Sequence, residues 1–173
     1  LGVNYIKANS LRHDHNSIVK NYYQIGRGSI RIECLTEFLV SILTEPLFDI
    51  LRTHEQLGYG ISCSARKNSG VLGITITVEY QENKNSADFI DMKIDEFLVQ
   101  YHIVLKSIND KDFDAAKICF MSSKLTDQTD LEHEVSRNFE EIRNGEYIFN
   151  RNELEAMEIE SITKEEILEF YKR

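Results

Sequence analysis

One proline, eight glycines and three cysteines are all that these 173 residues contain of the usual breakers and cross-linkers. So little proline and glycine excludes a collagen-like, Pro-rich or wholly disordered chain. The longest apolar runs are only a few residues, which excludes a transmembrane helix. Cys34, Cys63 and Cys119 are far apart, odd in number and without CxxC spacing. They argue against a disulfide framework and for a reducing compartment, and each reads as a small core residue. Leu1 begins in mid-pattern with no basic-then-apolar leader, and the last residues stop inside a helical pattern. The chain therefore reads as a piece of a longer protein without a visible signal peptide.

Apolar residues make up 42% and charged residues 28%, enough for a real core at this length. No internal repeat or Gly/Ser/Pro linker divides the chain, so 1–173 reads as one domain. The net charge of −9 is uneven: +1 over residues 1–81 and −10 over residues 82–173. An acidic half repels phosphate backbones, which argues against a nucleic-acid partner. The plain reading of that charge is a solvated helical surface.

Periodicity divides the chain in two. Residues 3–8 and 17–25 read as strands. Leu35, Phe38, Leu39, Ile42 and Leu43 recur at helical spacing, predicting a helix over 30–44 that Pro46 breaks or restarts. A second short helix carrying Leu47, Phe48, Ile50 and Leu51 ends near Gly58. Residues 59–67 and 71–80 read as a hairpin around Asn68-Ser69-Gly70. Helices follow. One carries Ile90, Ile94, Phe97, Leu98, Tyr101 and Leu105. A second carries Phe113, Ala116 and Phe120, capped by Asn109. A third carries Leu131, Val135, Phe139 and Ile142, stopped by Gly145. A short fourth carries Leu154 and Met157. A last helix opens with the capping box Thr163-x-x-Glu166, with Ile162 stapled onto Ile167. This order predicts an α+β two-layer sandwich, an antiparallel sheet with helices packed on one face.

No complete catalytic set is present. The two starts of an H-E-x-x-H motif fail, because Gly58 follows His54-Glu55 and Arg137 follows His133-Glu134. The inverted H-x-x-E-H also fails, because Thr129 stands before Glu132-His133. His13-Asp14-His15 is a lone H-x-H in a polar turn, a weak metal pair lacking a third ligand. His102 and His133 read as ordinary helical side chains. There is no nucleophile elbow, no phosphate loop and no dinucleotide fingerprint.

The stretch Thr44–Tyr59, joining a helix to the first arm of the hairpin, stands apart. Arg52 offers a planar fork of donors and Tyr59 a hydroxyl donor. Together they are equipped to hold a peptide carbonyl or a developing oxyanion. The residues alone leave open that Arg52 is an ordinary surface cation and Tyr59 a sheet aromatic.

Glu45-Pro46-x-Phe48-Asp49-x-Leu51-Arg52-Thr53-x-Glu55-Gln56-Leu57-Gly58-Tyr59 resembles the C-terminal domain of the insulin-degrading enzyme and nardilysin family, the pitrilysin-like inverzincin metalloendopeptidases. Tyr22-Tyr23-Gln24, the 68–73 turn, Lys93–Leu98, Glu134–Asn138 and Thr163–Glu166 extend the likeness over most of the chain. The hairpin and Glu134–Asn138 resemble the nardilysin branch more. The resemblance implies four homologous α+β domains in two halves that close around a peptide-admitting chamber. It implies zinc bound by the first domain and none by this chain, which would be the fourth. It implies as partners a peptide substrate and the zinc-bearing N-terminal half of the same protein. Arg52 and Tyr59 match the positions that reach across to substrate beside the metal and help stabilise the tetrahedral intermediate. A cytoplasmic location goes with this family, the cell surface or leaderless export being the other places open to it. His54 stands where the family commonly has lysine, and the family domain continues past Arg173. The other reading is a non-catalytic structural or partner-binding domain of an inactive family member.

Overall fold

A computed structural model describes residues 15–125 and 131–172. The predicted strand at 3–8 and His13 of the H-x-H pair lie outside them. The elements run β1 (Asn16–Arg27), α1 (Ile30–Phe48), a π-helical turn (Asp49–His54), β2 (Gly60–Asn68), β3 (Val71–Gln81), α2 (Ala87–Ser107), α3 (Asp110–Leu125), α4 (Leu131–Asn144), α5 (Arg151–Glu160) and α6 (Lys164–Tyr171).

The three strands pair antiparallel in the order β1-β3-β2. β3 is central, and its alternation decides which face is covered: Ile76, Val78 and Tyr80 are buried on the helical side. Val19, Tyr23 and Ile25 of β1 and Ile61 and Cys63 of β2 pack on that same core. The other face leaves Ile18 and Tyr22 exposed. Ser69 and Gly70 both have positive φ, +50° and +76°, which matches the twist a two-residue hairpin loop needs. The α+β architecture with helices on one face of the sheet is as predicted.

α1 and α2 lie on the sheet, and α3, α5 and α6 pack against them. Ser29 opens α1 by accepting from the Ile32 N–H, and Ser86 opens α2 by accepting from Phe89. The Asn109 cap forms, its Oδ1 accepting from the Asp112 N–H at 2.8 Å. Thr163 accepts from the Glu166 N–H, and Ile162 and Ile167 are both buried. The Glu166 carboxylate, however, turns to Arg31 of α1. The capping box thus ties α6 to α1.

The sequence-based boundary at Pro46 is corrected. α1 runs through Pro46 and passes directly into the π-helical turn. Proline has no N–H for the carbonyl four residues earlier, that of Ile42. The Tyr101 hydroxyl of α2 donates to that carbonyl at 2.7 Å. A partner distant in sequence thus supplies the missing donor, and the helix continues.

Two helical faces also differ from expectation. In α5 the buried residues are Glu155, Ala156 and Ile159, while Met157 is exposed. Glu155 is accepted inside because Lys124 bonds it at 2.7 Å. In α4 the apolar stripe Leu131, Val135, Phe139 and Ile142 points to solvent. Polar chemistry fastens that helix instead. The Glu141 carboxylate is buried, bonded by Arg151 and by the Ile148 N–H at 3.1 Å. Arg151 also bonds Glu33 of α1 at 2.8 Å, and Lys67 of β2 bonds Glu33 at 2.7 Å.

Candidate functional site

Arg52 lies in the π-helical turn and Tyr59 at the end of the short connector that leads from it to β2. Its backbone is tightly held. The Glu55 N–H reaches back to the Ile50 carbonyl at 2.9 Å and the Leu57 N–H to the Leu51 carbonyl at 3.0 Å. Leu51 and Leu57 are both buried, so the connector is pinned from below by apolar packing. Gln56 takes a positive φ of +53°, which turns the chain toward the sheet. Asn85 donates to the Leu57 carbonyl at 3.0 Å. The Tyr59 N–H donates to the Glu79 carbonyl of β3 at 3.0 Å. Gly58 fits because a Cβ there would stand 2.2 Å from that same carbonyl oxygen.

This base presents both side chains outward. Arg52 is exposed, and its guanidinium carbon lies 4.8 Å from the centre of the Phe48 ring, one helical turn earlier. Such stacking orients the planar fork without consuming its in-plane donors. The two nearest carboxylates along the chain have other neighbours. Asp49 lies 3.4 Å from the His54 Nε2, and Glu55 bonds Lys93 of α2 at 3.3 Å. Among the described residues Arg52 makes no ion pair. Tyr59 is 49% exposed. No hydrogen bond joins Arg52 to Tyr59 among the described residues, so the structure sets them on one connector as two separate outward-facing donors. That arrangement suits an extended acceptor such as a peptide backbone.

Sequence reasoning missed the supports. Phe48 and Arg52 are four apart, the spacing at which helical side chains meet, so the stacking pair was readable. Lys93, Asn85 and Glu79 come from other elements and had no local signal.

No group of three or more His, Cys, Asp or Glu side chains converges to hold a metal ion among the described residues. His15 is exposed. His102 stacks on Tyr171, with ring centres 6.1 Å apart. The cysteines divide by burial. Burial pushes the Cys34 and Cys63 thiols up to about 12, which leaves them inert at neutral pH. Cys119 is exposed on α3, contrary to the core role read from its neighbours.

Comparisons with known proteins bear on the same stretch. Residues 38–139, which include Arg52 and Tyr59, match the family described as PQQ synthase PqqF-like, C-terminal lobe domain 4. Human nardilysin is 35% identical over 159 residues, 92% of this chain and 14% of nardilysin. Bovine insulin-degrading enzyme is 26% identical over 159 residues, 91% of this chain and 15% of that enzyme. The crystal structure of pitrilysin superposes with a TM-score of 0.80 at 17% identity, over 92% of this chain and 17% of pitrilysin. The chain thus spans about one-seventh of the length of the curated relatives it matches.

Proposed function

This chain belongs to the pitrilysin-like peptidase family as a domain of the C-terminal lobe, and from that premise we propose that it is the substrate-contacting, non-zinc domain of a zinc metalloendopeptidase. On this reading residues 1–173 form one such domain. On the same reading the metal is bound by another domain of the same protein. The reading places the protein in the cytoplasm, a setting that accords with the free thiols of Cys34 and Cys63.

The observation that carries the reading is the stretch itself: Arg52, stacked and without an ion pair among the described residues, and Tyr59, half exposed, on a backbone pinned to the core. Arg52 holds a carbonyl oxygen of the bound peptide through its in-plane N–H groups. Tyr59 donates its O–H to the oxygen that gains negative charge as the scissile carbonyl becomes tetrahedral. Donors fixed beforehand need no reorganisation when that charge appears, which is why rigidity here matters more than acidity. The peptide lies between this surface and the metal-bearing half.

Complementation tests the reading. This chain, the remainder of the protein made separately, and the two mixed are each given a fluorogenic peptide. Cleavage that requires the mixture is the expected result. Cleavage by this chain alone, or by the remainder at the full rate of the intact protein, would remove the shared site. An intact protein with no activity at all would favour a non-catalytic, partner-binding domain.

A further inference from the structure

α4 is an amphipathic helix mounted with its apolar side outward. Leu131, Val135, Phe139 and Ile142 recur every three or four residues along one face, and they are 73%, 57%, 60% and 50% exposed. The side turned to the protein is polar. Arg137 and Asn138 are half-buried, Glu141 is buried, and the Arg137 Nε is buried without a hydrogen-bond partner among the described residues. A solitary surface helix adopts the reverse orientation, because burying the apolar stripe is what stabilises it. Here the helix is held at its C-terminal end. Arg151 and the Ile148 N–H bond the Glu141 carboxylate, and the Glu146 and Tyr147 N–H groups bond the Glu141 carbonyl at 3.1 and 3.2 Å. A rigid clasp that keeps an apolar stripe in water has a reason only if something else covers the stripe.

We propose that this stripe is an interdomain seam, covered in the intact protein by an apolar face of a neighbouring domain of the same polypeptide. The inference rests on the reading of this chain as one domain of a longer peptidase. Size argues for a tethered partner over a second copy. The stripe offers on the order of 400 Å², whereas a free dimer of ordinary stability needs about 800 Å² from each partner. A surface joined through the chain has a millimolar effective concentration, so a small seam suffices. The matched family is itself described as the fourth domain of a lobe, and about six-sevenths of nardilysin's length lies outside the match.

Hydrogen exchange on the intact protein tests the seam. In the wild type the α4 amides should exchange at least about tenfold more slowly than in a Val135→Glu/Phe139→Glu variant, while the β2–β3 hairpin keeps its protection in both. Equally fast exchange of α4 in wild type and variant overturns the proposal. If the variant loses the hairpin's protection too, radical footprinting of the wild type decides. Phe139 modified far more slowly than its 60% exposure here implies supports the seam, and full-rate modification overturns it. Protection that falls on dilution with a dissociating dimer assigns the face to a second copy and also overturns it. Arg52→Ala should leave α4 protection unchanged whatever it does to cleavage, so the seam and the site fail separately.

Discussion

Gly58 and Gly73 separate two kinds of close approach. A Cβ at Gly58 would stand 2.2 Å from a β3 carbonyl oxygen, and β3 is the central strand, which has no room to retreat. A Cβ at Gly73 would meet the ring of Tyr22, which is 44% exposed and free to swing outward. We therefore predict that Gly58→Ala costs about 3 kcal/mol and shifts the connector, while Gly73→Ala costs about 1 kcal/mol or less. Urea denaturation measures both, and equal losses would contradict the distinction. Thiol chemistry offers a second residue-scale check. Of the three cysteines Cys119 alone is exposed, while burial raises Cys34 and Cys63 to about 12, so native labelling at pH 7.5 should modify Cys119 first. Peptide mapping after maleimide treatment reads this directly. The sequence made Cys34 legible as a core residue and misplaced Cys119, because both have apolar neighbours in the chain. Only packing distinguishes the two.

At the scale of elements, Pro46 shows what local rules omit. The rule that proline ends a helix concerns an unfilled carbonyl, and here the Tyr101 hydroxyl fills it from α2. A double-mutant cycle follows from that contact. Tyr101→Phe alone should destabilise by about 1–2 kcal/mol, and by clearly less in a Pro46→Ala background, where the substituted alanine supplies its own N–H. Additive effects would show that the hydroxyl does not serve that carbonyl. The clasp on α4 predicts a pH dependence. The hydrogen bond from Arg151, with that from the Ile148 N–H, holds the Glu141 carboxyl below its ordinary value of 4.5. A depressed folded value means the stabilisation is complete above the unfolded value, and is lost as pH falls through the folded one. Burial pushes the Glu155 carboxyl the other way, despite its bond to Lys124, so its effect on stability has the opposite slope. Glu141→Gln should thus lower stability by about 1–3 kcal/mol at pH 7, and the gap from wild type should narrow below pH 4. A gap that stays constant with pH would rule out the ionic part of the clasp. Strands, helices and most caps were readable from period and cap chemistry. The outward mounting of α4 was not, since a 3.6-residue period gives a stripe but not the side to which it turns.

For the whole molecule, the sheet-and-helix architecture follows from the switch between the alternation of Leu72–Tyr80 and the helical stripes after it, and the pairing of β1 with β3 needed the fold. The site was legible in a different way. Arg52 and Tyr59 drew attention through their place in a motif, while what would suit them to the proposed role lies in Leu51, Leu57, Gly58 and Glu79, whose packing and hydrogen bonds hold the connector. The outward apolar stripe of α4 and an Arg52 without an ion pair among the described residues both fit the proposal that other parts of the protein complete these surfaces. Peptide-cleavage kinetics of Arg52→Ala and Tyr59→Phe in the intact protein, with bound zinc measured alongside, test that account most directly. The prediction is a fall in kcat of about 100-fold for each, with metal content unchanged. Turnover within about twofold of wild type for both variants would show that the connector does not act on the substrate.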